Sequence, residues 1–260
     1  MENLMRRLMV LKNSCFELNK KLCASYAVET NLMPLAGLNM AHNHLIKAIE
    51  LIGYYNQVLP RSMRGSMEEY LNDVPESAQR LIDVLNGCFV AIMSSFESCA
   101  RKAIRWAPSV YGKVPDKIYL VNMIERSRKL GWVTTADEVV WKKFINLRNY
   151  LVHNNGEAQT TDCLVLPSGL IWEFRVGLQS KVTLRHIPES LHWLVAAYAS
   201  WCERFLASWR ASFNYSPVWN RPYSYNIVSS RVIPQWGVDD WSGTGHWVWQ
   251  VQPPHKPGAF

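Results

Sequence analysis

Apolar positions near the start of the chain recur at steps of four and three: Leu4, Leu8, Leu11, Cys15, Leu18 and Leu22. That spacing lays one stripe along a helix over residues 3–29. The stripe is a seam for another helix, either in the same chain or in a second copy. A second helix over 35–58 uses Leu38, Leu45, Ile49 and Ile52, and Pro60 stops it. The loop that follows, 60–74, holds Ser66 and Glu69 at capping-box spacing. The longest unbroken period runs over 75–106, through Leu81, Leu85, Phe89, Ile92, Phe96 and Ala103. Pro75 suits its first turn and Pro108 ends it. It is expected to be the central core helix.

Two more helices follow. One spans 115–130, opened by Pro115 and closed by Gly131. The other runs from Thr135 to about His153, with Thr135 and Glu138 as a capping box and Asn154-Asn155-Gly156 as its stop. The period then changes. Cys163–Leu166, a Pro167-Ser168-Gly169 turn and Leu170–Phe174 read as a β-hairpin within about 162–185, and Lys181–Leu184 is a candidate third strand. A last helix covers 188–210. The fold class is mainly α, a helical bundle with a small β-hairpin insertion. The division is an N-terminal helical hairpin over 1–60, a helical domain over 61–210 and an irregular extension over 211–260. That extension holds Trp219, Trp236, Trp241, Trp247 and Trp249. So many aromatics are rarely left wet, so it is expected to pack on its own domain or on a partner.

Composition narrows the class only a little. With 260 residues and 48% hydrophobic content the chain can bury one sizeable core. Its six cysteines form no C-x-x-C pair, which suits reduced thiols in a cytoplasmic protein. No targeting segment and no run of transmembrane length is read from the sequence.

Charge changes the picture more. The net charge is +7, and residues 101–148 hold 11 basic and 4 acidic side chains, which is the whole surplus. A local basic field suits a polyanion such as RNA, and also fits a solvated helix face rich in lysine and arginine.

The basic stretch runs into Leu147-Arg148-Asn149-Tyr150-Leu151-Val152-His153-Asn154-Asn155. This segment resembles the signature of the HEPN superfamily: an arginine, a polar residue directly after it, and a histidine a few positions on, near a helix end. The layout of the helices over 75–106, 115–130, 135–153 and 188–210 is similar to the family's bundle, and some members carry a hairpin before the last helix. Residues 1–60 and the tail have no counterpart in it. The resemblance implies metal-independent RNA cleavage without a cofactor, leaving a 2′,3′-cyclic phosphate and a 5′-hydroxyl. It makes Arg148, Asn149 and His153 the catalytic candidates, with Lys142, Lys143 and Asn154 as substrate-binding candidates. The chemistry fits these side chains. Histidine titrates near neutral pH and can act as general base or acid. Arginine is permanently charged and forked, suited to a phosphate and to transition-state charge. Asn149 lies four residues before His153 and can orient it.

Arg148 and His153 are five residues apart, about 140° around a helix. Either the helix ends early, or the arginine curls round, or two copies pool their residues. HEPN enzymes resemble the last case, so a homodimer with a composite site in a basic cleft is expected. An antitoxin or regulatory protein is a further possible partner by the same resemblance, and no membrane is expected.

The same residues also have plain structural roles. Arg148 can pair with a carboxylate, His153 sits well at a helix C-terminus, and Asn154-Asn155-Gly156 can simply end a helix. Glu97 either pairs with Arg148 or is an exposed glutamate on the polar side of its helix. The histidine spacings, His42 with His44 and His186 with His192, fit no helical metal pair. No nucleophile elbow, phosphate loop or dinucleotide fingerprint occurs. Trp201, Arg204, Trp209 and Arg210 could stack bases or form a core-facing stripe. Three functions compete: an endoribonuclease, for which the family resemblance implies a toxin or defence role; an inactive HEPN module binding RNA, a nucleotide or a protein; and a structural assembly protein docked through its tail.

Overall fold

The computed structural model describes residues 2–58, 75–153, 157–166, 169–177 and 186–214. Among them are seven helices and one hairpin: α1 (Glu2–Tyr26), α2 (Ala36–Val58), α3 (Pro75–Trp106), α4 (Pro108–Tyr111), α5 (Leu120–Lys129), α6 (Thr135–His153), β1 (Asp162–Val165), β2 (Ile171–Phe174) and α7 (His186–Asn214). The chain is mainly helical with a two-stranded antiparallel sheet. The turn expected at Ser66–Glu69, the third strand at 181–184 and the tail beyond residue 214 lie outside the described residues.

The N-terminal stripe is filled from within the chain. Leu4, Leu8, Leu11, Cys15 and Leu22 are buried, and α1 packs against α2 and α7. The helix stops at Tyr26, short of residue 29, because Ala27 turns left-handed at φ 53°. Asn19 then anchors the following turn: its buried amide donates to the carbonyls of Leu35 at 2.9 Å and Thr30 at 3.2 Å. A single hydrophobic cluster continues from Leu4 through α3 and α6 to Leu206, so α1 and α2 share their core with the rest.

α3 is the central element and matches the expected bounds. It packs on α2, α6 and α7. Phe89 meets Phe144 edge-on at 5.8 Å, and Phe96 stacks on Tyr198 at 3.9 Å. Each such ring is worth about 1.5–3 kcal/mol in burial alone. Contrary to the sequence reading, its Gln79–Trp106 stretch is long and apolar enough to cross a membrane by length and composition. Its apolar face is turned onto its neighbours, as in the core helix of a helical bundle. Gly37 lets α2 approach α7, since a Cβ there would sit 2.6 Å from the Tyr198 hydroxyl. That hydroxyl donates to the Pro34 carbonyl at 2.8 Å.

Two helix starts differ from expectation. α5 begins at Leu120, not Pro115. Arg126 and Arg105 donate to the carbonyls of Lys113 and Asp116, which ties the segment before α5 to α5 and α3. At its other end α5 closes as expected. Gly131 turns left-handed at φ 75°, its N–H reaches the Arg128 carbonyl, and that of Trp132 reaches Ser127, both at 2.9 Å. This paired pattern satisfies two orphan carbonyls of the last turn. For α6 the cap is Thr134, one residue earlier than read. Its hydroxyl accepts from the Asp137 N–H at 3.0 Å and donates to the Asp137 carboxylate at 2.7 Å. Glu138 is thereby released for ion pairs.

In the hairpin, Leu164 pairs with Trp172 and Val165 with Ile171. Leu164, Trp172 and Phe174 face the core, while Val165 and Ile171 face outward. All six cysteines are free, and Cys163 is the exposed one. Burial pushes the Cys15 and Cys88 thiols up to about 12.

Candidate functional site

The inward side of α6 is apolar, with Trp141, Phe144, Ile145, Leu147 and Tyr150 buried. Arg148 therefore emerges at the edge of that face, beside α3. Its Nη1 donates to Glu97 Oε2, and its Nη2 reaches the Asn149 Oδ1 at 3.4 Å. Of the two roles open to Glu97, the structure shows the paired one. The other Glu97 oxygen accepts from Arg101 at 2.6 Å. Both partners of the Glu97–Arg148 pair are largely covered, with side-chain exposures of 13% and 18%. Arg101 Nε is buried without a hydrogen-bond partner. Among the described residues one carboxylate thus serves two guanidinium groups, Arg148 at 18% exposure and Arg101 at 36%, and a positive charge is left over.

That surplus borders a pocket of about 610 Å³. The start of α5 (Leu120, Val121) with Tyr119 just before it forms one wall, and the C-terminal half of α6 forms another. Gln159 and Thr160 close it, held by a 2.8 Å hydrogen bond between the Thr160 and Tyr150 hydroxyls. Arg148, Asn149 and His153 all line this pocket. The 140° between arginine and histidine does not separate them, because the pocket wraps around the end of α6. His153 is exposed and is the last residue of the helix.

The other candidates lie elsewhere. Lys142 is bound to Glu125 at 2.8 Å and Glu138 at 3.0 Å. Lys143 is bound to Asp162 at 2.9 Å and to the Cys163 carbonyl. Neither lines the pocket. Asn154 lies outside the described residues. Trp201 belongs to the core, its indole donating to Ser127 at 2.9 Å, and Trp209 packs at 5.0 Å from Trp106. Among the described residues no three His, Cys, Asp or Glu side chains are grouped to hold a metal ion.

Tyr119, Gln159 and Thr160 escaped the sequence reading. Tyr119 precedes α5, Gln159 and Thr160 are neighbours after α6, and no local pattern marks them. Only the packing of α5 and the hairpin arm around α6 brings them together. No protein family, characterised protein or solved structure matches the chain.

Proposed function

We propose that this chain is a HEPN-like endoribonuclease that cleaves RNA without a metal. The observation that carries the reading is the convergence of Arg148, Asn149 and His153 on one pocket beside an unbalanced guanidinium pair. A phosphate is an anion that such a lining suits. In the reaction, the ribose 2′-oxygen attacks the adjacent phosphorus and its proton passes to a base. The P–O5′ bond breaks, the 5′-oxygen takes up a proton, and a 2′,3′-cyclic phosphate remains. His153 is the group able to move these protons. Arg148 lines the pocket, and its guanidinium would hold the non-bridging oxygens as charge builds on them. Asn149 would fix the arginine through the contact it already makes. One chain supplies all three groups, so the reading does not depend on a second copy. A homodimer meeting over the pocket is a separate proposal, which sedimentation of the full chain tests.

The test is cleavage of end-labelled tRNA and total RNA in EDTA by wild type and His153→Ala. Fragments made by wild type alone support the reading. Equal cleavage by both, or none, removes it. One observation favours a second reading, an RNA-binding module without catalysis: Arg148 is already engaged by Glu97, as a purely structural arginine would be. That reading expects salt-sensitive binding and intact RNA.

A further inference from the structure

The basic surplus is not spread evenly over the surface. Several of the cations in residues 101–148 are paired with carboxylates: Arg101, Arg128, Lys142, Lys143 and Arg148. The other six are Lys102, Arg105, Lys113, Lys117, Arg126 and Lys129, and none has a carboxylate partner among the described residues. They lie on the end of α3, the loop over 112–118 and α5. Arg105 is bonded to the Asp116 carbonyl, and Arg126 to the Lys113 carbonyl at 3.2 Å, which ties these three elements together. Five of the six are exposed and Arg126 is half-buried, its guanidinium 5.1 Å from the Tyr111 ring centre. On the same loop and α5 the acids are Asp116, which is exposed, and Glu125, already held by Lys142.

The loop leads directly into Tyr119. At 64% exposure this is the most exposed large hydrophobic side chain among the described residues. It also lines the pocket of Arg148, Asn149 and His153. An exposed ring at the mouth of a polar pocket, approached by a run of unpaired cations, has the two components of a single-strand site: charge for the backbone and a flat face for a base.

We propose that this edge is a track for single-stranded RNA. Phosphates run along Arg105, Lys113, Lys117 and Arg126, and Tyr119 stacks one unpaired base so that the neighbouring phosphate enters the pocket. The proposal rests on the ribonuclease reading and names its substrate as unpaired RNA. A duplex is a poor fit, since its base faces are covered by their neighbours and cannot meet the ring. An anionic membrane would also be drawn to the cations, but a flat surface makes no use of a concave pocket.

Binding separates this from cleavage. The full chain carrying His153→Ala is titrated against a fluorescent oligouridine of about twelve nucleotides. The same strand paired to oligoadenosine, and phosphatidylcholine vesicles containing phosphatidylserine, serve as the other two arms. The single strand is expected to bind best. Tyr119→Ala weakens it about tenfold, and Tyr119→Phe restores it, which excludes a folding defect. Lys117→Ala lowers the slope of log affinity against log salt by about 0.7. Equal binding by Tyr119→Ala, tighter binding of the duplex, or binding of vesicles but not RNA each overturns the track. If wild type cleaves RNA while Tyr119→Ala leaves KM unchanged, the track falls and the nuclease stands. If the single strand binds through Tyr119 and is never cut, the track stands and the nuclease falls.

Discussion

Two ion-pair clusters sit one after the other along α6, and they are built differently. Toward its N-terminus, Glu125 and Glu138 meet Arg128 and Lys142, two acids against two bases. The lysine there is 40% exposed, as is the arginine. Toward its C-terminus, among the described residues Glu97 alone faces Arg101, 36% exposed, and Arg148, 18% exposed. A balanced, wet cluster is what a helix face acquires for solubility and contributes little. An unbalanced and partly dry one is costly to keep, because the second cation has no full partner. In the proposed reading, the anion that completes such an arrangement is the RNA phosphate. Charge count, and the 18% exposure of Arg148 against 40% for Arg128 and Lys142, distinguish the candidate site from the balanced cluster.

The largest expected effect is on catalysis. On the proposed ribonuclease reading, Arg148→Ala removes the charge assigned to the phosphate and should lower RNA cleavage about a hundredfold or more. Cleavage at the wild-type rate would reduce Arg148 to a structural residue and dissolve the contrast. Next comes stability, where the two ends of the Glu97–Arg148 pair should behave unequally. Glu97→Ala strands two guanidinium groups and should cost about 1–3 kcal/mol in chemical denaturation. Arg148→Ala leaves Glu97 still joined to Arg101 and should cost less. Equal losses would mean the cluster is not short of a negative charge. In the balanced cluster, Glu138→Gln should cost under about 1 kcal/mol, shrink further in high salt, and leave cleavage unchanged.

The smallest effect concerns pH. Burial, helped by Lys47, lowers the His44 pKa, and burial lowers that of His186. Both are therefore more easily protonated in the unfolded chain. Their stability contribution is full above the ordinary histidine pKa and is lost as pH falls below it. The thermal midpoint should fall between pH 7 and pH 5, and His44→Gln should flatten that fall. A slope unchanged by His44→Gln would assign the pH response to other groups.

The two regions also differed in how far the sequence revealed them. The bounds of α3 and the buried stripe of α1 followed from spacing, because a helix that buries one face must repeat apolar residues along it. The motif at Arg148, Asn149 and His153 was visible for the same reason: its members share one helix. What stayed hidden depended on partners distant in sequence. Glu97 is 51 residues from Arg148, and nothing local fixes whether it turns inward. Lys142 and Lys143 are substrate-binding candidates in the sequence, and only the fold sets Glu125, Glu138 and Asp162 beside them. The cap of α6 moved from Thr135 to Thr134 because Asp137, not Glu138, occupies the third helical position. Tyr119 had no motif to announce it, and its importance comes only from the pocket it borders.

The most direct test of the central claim is the chemistry of the cut ends. RNA incubated in EDTA with wild type, Arg148→Ala or His153→Ala would be examined by phosphorus NMR and by resistance of the 3′ ends to phosphatase. The account predicts a 2′,3′-cyclic phosphate and a free 5′-hydroxyl from wild type, with neither variant producing them at a comparable rate. Intact RNA, 5′-phosphate ends, or cyclic phosphate formed equally by all three proteins would contradict it.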